Sequence, residues 1–180
     1  DKDQKFIYPQ TVKELESRHK NFSLDDVVLE KDKFYAGASA VEITPQNSQY
    51  LAGFQANRKS EGVNDDIFSR CVVVSRNGKT VAFVSIDLIG FMYENCEDVR
   101  YLVSKINKNF VDEVVIASTH THSAPDTIGM WGWGLPFLPL SSGIDKEYMA
   151  FVYDKIVKSV YLAAKNLKEA KVLYASAEVP

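Results

Sequence analysis

The chain lacks an excess of positive charge, any long apolar run, and all but a few histidines and cysteines. Lysine and arginine total 21 against 24 aspartates and glutamates, a net charge of −3. No basic stripe is therefore offered to a phosphate backbone, and nucleic acid is not an expected partner. No apolar stretch reaches the roughly 18 residues of a membrane span, and the opening residues do not follow the charged, apolar, small-residue order of a secretion signal. The two cysteines, Cys71 in a predicted strand and Cys96 on a predicted helix, do not define a redox compartment and are expected to be free thiols. Histidines number only three: His19, His120 and His122.

What is present suits one packed domain: 180 residues, 46% of them hydrophobic. The chain begins at Asp1 rather than methionine and stops at Pro180, directly after a predicted strand, so a truncated or processed polypeptide is expected. Residues 1–33 are dense in charge and read as an N-terminal appendage of short helices. "TVKE" at Thr11–Glu14 and "SLDD" at Ser23–Asp26 resemble capping boxes there. His19, set among Glu14, Glu16, Arg18 and Lys20, reads as a solvated surface residue.

The body of the domain, residues 34–180, opens with the strand-like "FYAGASAVEITP". Residues 46–69 then make a long excursion without sustained periodicity, and such loops are often functional. Asn77-Gly78 between two β-rich runs predicts a tight hairpin that pairs 70–76 with 79–86 antiparallel. A helix over 92–109 is predicted from the stripe Val99, Leu102, Val103, Ile106 and Phe110, followed by a strand at 114–118. Strand, helix and strand at these lengths predict a right-handed βαβ unit with parallel strands. A second helix starts near Asp145, with Tyr148, Val152, Ile156, Val160, Ala163 and Leu167 on one face, and leads to a strand in "KVLYASAEV". The expected fold class is α/β: a mixed sheet with a β-hairpin and parallel βαβ units, helices packed on the sheet, forming an incomplete portion of a larger catalytic domain.

In open α/β sheets ligands gather at the carboxyl ends of parallel strands, and this order of elements brings Asp87 and the "HTH" of His120 and His122 to one such edge. Two histidines at i and i+2 of an extended segment project to the same side and can address one small volume. They are either part of a metal site or polar residues that close a strand. A catalytic zinc usually needs three protein ligands, so the pair is incomplete by itself. Asp87 is either a carboxylate partner for a ligand imidazole or a helix cap. Arg70 and Arg58 suit an anionic group or ion pairs with Asp65, Asp66 or Glu61. "GMWGWGLPFLPL", residues 129–140, carries Met130, Trp131, Trp133, Phe137 and Leu138, which suit an apolar substrate wall or packing under further polypeptide.

Read in order, "GASAVEITP", "LAGF", "GVNDDIFSRCVVV", "VAFVSIDLIGF" and "VVIASTHTHSAPDTIGMWG" resemble the N-terminal part of the neutral/alkaline non-lysosomal ceramidase family, over about Ala36 to Leu167. Members of that family are zinc-dependent amidases that split ceramide into sphingosine and fatty acid. The resemblance implies that His120 is a zinc ligand and His122 a catalytic histidine beside the metal. It also implies that a second histidine, a glutamate and a tyrosine complete the Zn²⁺ site elsewhere in the polypeptide. A lipid-like or N-acyl amide substrate, and a secreted, periplasmic or cell-surface location, are implied likewise, as is association with the remainder of the polypeptide. Asp87, Arg70, Trp131 and Trp133 are the candidates to support the site or touch substrate. The chain departs from the family pattern at Glu42, where relatives often carry aspartate, at Asn64, where many carry histidine, and at Ala124, in place of the glycine of "HTHSGP". The competing reading is a ceramidase-like domain that binds or scaffolds without turnover.

Overall fold

The computed structural model describes residues 8–108, 110–135 and 137–178. The elements run α1 (Pro9–Arg18), β1 (Tyr35–Glu42), β2 (Phe68–Arg76), β3 (Lys79–Ile86), α2 (Tyr93–Ile106) and β4 (Glu113–Ser118), then β5 (Gly134–Leu135), β6 (Leu138–Pro139), α3 (Lys146–Lys165) and β7 (Lys168–Glu169). Five strands form one mixed sheet in the order β4-β3-β2-β1-β7, while β5 and β6 make a separate two-stranded ribbon. The α/β class expected from the sequence is the class observed.

The hairpin between β2 and β3 follows from Asn77-Gly78. Both residues sit in the left-handed region, at φ 52 and 73, as a tight two-residue turn requires. Arg76 accordingly pairs with Lys79, and the antiparallel register continues to Ser69 opposite Ile86. From β3 the chain crosses over through α2 to β4, which lies parallel, with Val81 opposite Glu113 and Ile86 opposite Ser118.

The helices cover one face of the sheet. From α3, Val152, Tyr153, Ile156, Val160 and Ala163 are buried, and Val99, Leu102 and Val103 of α2 join them against Val73, Ala82, Val84 and Val114. Phe110 and Leu167, the last members of the two predicted stripes, are partly buried against the same core. Asp145 caps α3 as its position suggests, accepting the backbone N–H groups of Glu147 and Tyr148. Tyr153 of α3 is tied to α2 by polar contacts: its hydroxyl accepts from Asn95 Nδ2 at 2.9 Å and donates to Asp98 at 3.1 Å. Cys71 and Cys96 are free and buried, and burial pushes the Cys71 thiol up to about 12. Among the described residues no helix is long and apolar enough to cross a membrane.

The structure corrects three expectations. The capping boxes are absent: α1 starts at Pro9 after Tyr8, with no side-chain cap, and Ser23 closes a local turn by accepting the Asp25 N–H at 3.1 Å. The strand expected in "KVLYASAEV" does not form over its described residues 171–178, which are irregular and exposed; the short β7, which pairs with Tyr35 and Ala36, lies just before it. The apolar pattern of 171–178 finds no strand to pair with among the described residues. His19 is 6% exposed rather than solvated. Its ring lies over Phe22, and its Nε2 is 2.7 Å from Asp154 Oδ1 on α3, where Arg18 also donates at 3.2 Å. Charged neighbours in sequence concealed a histidine that folds inward from the C-terminal end of α1.

A buried carboxylate that loses a partner costs about 1–3 kcal/mol. His19→Ala is therefore expected to lower the unfolding free energy by that amount, read as a lower urea midpoint at unchanged slope. An unmoved midpoint would mean that Arg18 and Lys155 satisfy Asp154 without the imidazole.

Candidate active site

The site begins where β4 outlasts its strand. Beyond Ser118 the backbone keeps bonding to the segment after β3, with Thr119 N–H donating to Ile86 O at 2.9 Å and His120 N–H to Leu88 O at 3.0 Å. His120 then turns the chain with φ 60, a left-handed conformation that is uncommon outside glycine but enriched in His, Asn and Asp. The segment is thus not extended at His120, contrary to the geometry assumed from i, i+2 spacing. The two rings still meet, with centroids 5.1 Å apart and planes at 70°.

His120 Nδ1 lies 2.7 Å from the carbonyl oxygen of Ile89. A carbonyl can only accept, so Nδ1 carries a proton and Nε2 is the nitrogen left to act as a ligand. Metal-ligating imidazoles are commonly fixed in this way. His122 is held by packing: Phe54 meets it edge-on at 5.6 Å, and a Cβ built on Gly53 would lie 2.3 Å from His122 Cγ. Gly53 also has φ 101, so position 53 needs glycine both for its backbone and for the room that the imidazole takes.

Phe54 and Gly53 belong to the long excursion predicted over 46–69, which is fastened across the histidine segment. Ala52 N–H donates to Ala124 O at 3.0 Å, Asp126 N–H to Tyr50 O at 2.8 Å, and Asn57 N–H to Gly132 O at 2.8 Å. A cavity of about 810 Å³ opens between the excursion and this segment, lined by Leu51, Arg58, Asn64, Thr121, Ser123 and Pro125 among others. Its lining includes Thr121 and Ser123 but neither histidine.

Asp126 organises the loop beyond the histidines. Its buried carboxylate accepts the backbone N–H groups of Ile128, Gly129 and Trp131 at 3.1, 2.7 and 2.8 Å, folding "DTIGMW" around one charge. Sequence reasoning passed over it, although an aspartate followed at once by a glycine-rich stretch is a recognised local turn former. From this base the β5–β6 ribbon projects. Leu135 pairs with Leu138, and Leu140 N–H bonds to Trp133 O, so alternation sets Trp133, Leu135, Leu138 and Leu140 on one face, all exposed.

The remaining candidates separate by environment. Trp131 is half-buried and its indole N–H donates to Phe54 O at 3.3 Å, so it ties the two loops together. Trp133 stays open to solvent. Asp87 does not cap α2, which is preceded by Met92 without a side-chain cap; its carboxylate accepts Phe68 N–H at 2.9 Å and pairs with Arg70. Arg70 is thereby committed to Asp87, and Arg58 lies over the Phe54 ring at 5.3 Å. Among the described residues, no group of three or more histidine, cysteine or acidic side chains gathers as a metal site. Two imidazoles fit part of a zinc site by donor chemistry, and they supply that part alone.

Residues 34–180 match the family described as neutral/alkaline non-lysosomal ceramidase, N-terminal. Among solved structures, the fold is similar to one described as "Ceramidase complexed with C2" (TM-score 0.64, 21% identity, 77% of this chain and 22% of that one). It is similar also to the neutral ceramidase from Pseudomonas aeruginosa (TM-score 0.60, 21% identity, 78% of this chain and 23% of that one). The chain thus spans under a quarter of the length of these structures.

Replacing Asp126 by alanine would leave three backbone N–H groups without their acceptor. We expect a loss of about 3 kcal/mol, each orphaned donor costing on the order of 1 kcal/mol or more, with a changed tryptophan emission as the Trp131 loop loosens. Wild-type emission and stability in the variant would show that the loop holds itself.

Proposed function

The chain belongs to the neutral/alkaline non-lysosomal ceramidase family, and from that premise we propose that it supplies the histidine edge of a zinc-dependent hydrolase that cleaves an N-acyl amide bond, in ceramide or a related lipid. The observation that carries this reading is the imidazole pair at 5.1 Å, with His120 Nδ1 tied to the Ile89 carbonyl.

In this reading His120 holds the metal through Nε2, and further ligands come from polypeptide outside these residues. Zinc, when bound, would lower the pKa of a water to about 7 and polarise an amide carbonyl. The chain's own contribution to the chemistry is then His122. Its imidazole takes a proton from the attacking water as the carbon–oxygen bond forms, and returns a proton to the amide nitrogen as the carbon–nitrogen bond breaks, which yields a fatty acid and an amine. Gly53 and Phe54 fix that ring, so its reach is set before substrate arrives. The exposed face of Trp133, Leu135, Leu138 and Leu140 offers an acyl chain an apolar surface on the loop that follows the histidines.

Zinc stoichiometry and amide hydrolysis of the full-length protein test the assignment. His120→Ala is expected to lose stoichiometric zinc, and His122→Ala to retain zinc while turnover falls by about 10²–10⁴. Full zinc and unchanged turnover in both variants would defeat it, and zinc binding without any hydrolysis in the wild type would favour a binding or scaffolding domain.

The lipid part of the reading is tested separately. Trp133→Ala with Leu138→Ala is expected to raise KM for a long-chain N-acyl amine and leave that for an N-acetyl amine unchanged. Equal effects on both substrates would remove the ribbon from substrate binding.

A further inference from the structure

Three successive carbonyls hold the histidine segment. Beyond Ile86 the chain leaves β3, and the Leu88 oxygen accepts the His120 backbone N–H at 3.0 Å. The Ile89 oxygen lies 2.7 Å from His120 Nδ1, and the Gly90 oxygen accepts the Thr127 hydroxyl at 2.5 Å. The middle carbonyl sets which ring nitrogen of His120 carries a proton.

Where that carbonyl points depends on Gly90. The Ile89 carbonyl shares a rigid peptide plane with the Gly90 nitrogen, and the soft torsions next to that plane belong to a glycine. A Cβ at position 90 would lie 3.1 Å from Ile128 Cγ2, so the close approach of Ile128 favours glycine there. A hinge beside the carbonyl that orients a ligand imidazole would let that imidazole drift. The Thr127 hydroxyl ties the far side of the hinge.

Thr127 suits the task. It is buried, and the chain on either side of it is pinned: the Asp126 N–H donates to Tyr50 O at 2.8 Å, and the Ile128 N–H to the Asp126 carboxylate at 3.1 Å. The hydroxyl therefore stands on a fixed base, and in a buried place it keeps its acceptor because an unmade bond there is costly. Asp126 folds the loop, and Thr127 joins the folded loop to the carbonyl row that serves His120.

We propose that Thr127 is a positioning residue for the metal-binding histidine: through the Gly90 carbonyl it keeps the Ile89 carbonyl on His120 Nδ1, and so keeps Nε2 as the ligand nitrogen. The proposal rests on the reading of His120 as a zinc ligand. A hydroxyl that merely satisfied the Gly90 oxygen would support folding and leave the imidazole unchanged, so the two roles part in experiment.

The full-length protein, labelled with ¹⁵N-histidine and stripped of metal with a chelator, tests the positioning without recourse to activity. Spectra are recorded near pH 8.5, about two units above the ordinary imidazole range, and the His120 signals are those lost in His120→Gln. Wild-type His120 is expected to show a protonated Nδ1 and a bare Nε2. Thr127→Val removes the hydroxyl and is expected to give signals averaged between the two tautomers, and Thr127→Ser to restore the wild-type pattern. In zinc titrations Thr127→Val is expected to bind about tenfold more weakly, the lower end of what losing a group behind a metal ligand costs, with Thr127→Ser again restoring the wild type. A wild-type nitrogen pattern in a folded Thr127→Val would overturn the proposal, whatever its zinc affinity. If Thr127→Val does not fold, Thr127→Ala compared with Thr127→Ser isolates the same hydroxyl, and equal patterns in those two would overturn it as well. A shifted tautomer beside a wild type that binds no zinc would uphold the hold of Thr127 on His120 and defeat only the zinc reading.

Discussion

The parallel pairing of β4 with β3 is the constraint from which the rest of the site descends. Backbone bonding does not stop with the strands but continues through Thr119 and His120 onto Ile86 and Leu88. That continuation fixes the height at which His120 leaves the sheet, and it leaves the Ile89 carbonyl within reach of the ring. One ladder thus positions the imidazole and selects its tautomer. Had the crossover through α2 been shorter, or β4 shifted by one residue, the histidine segment would have turned to the opposite face of the sheet.

Around this fixed point the protein uses backbone donors more than side-chain charge. Asp126 gathers three N–H groups, and the loop of residues 46–69 is laced to the histidine segment through main-chain bonds at Ala52, Asn57 and Asp126. The arrangement makes the imidazole pair rigid while leaving the aromatic ribbon beyond it projecting freely. Rigid histidines beside an open apolar surface suit chemistry that must be placed accurately on a substrate whose tail need only be accommodated.

The sheet was legible because its signals are local: Asn77-Gly78 specifies its turn without help, and two long amphipathic helices announce which face they bury. The histidine pair was legible as a pair, but its geometry was not. No spacing rule reveals that His120 takes a left-handed backbone, since that depends on what Leu88 and Ile89 offer across the sheet. His19 and Asp154 were illegible for the same reason, being 135 residues apart and each surrounded in sequence by charges of its own. Asp87 was ambiguous because its position at a strand end suits several roles; its partners Arg70 and the Phe68 N–H become neighbours only after β2 and β3 have paired. The strand expected after Lys171 shows the complementary error. Apolar alternation is necessary for a strand, but a ladder partner must also be within reach.

The clasp between His19 and Asp154 has one more meaning. The residues that match the family begin at 34, yet Val12 and Leu15 of α1 lie in the same core as Val99 and Leu102, and His19 closes over a carboxylate on the longest helix. The residues matched by the family are therefore fewer than those that build this core. A version trimmed to the matched residues would open the flank of α2 to water and leave Asp154 without its imidazole and Arg18 contacts. The first helix is a wall of the domain, placed ahead of the matched residues but inside the core they build.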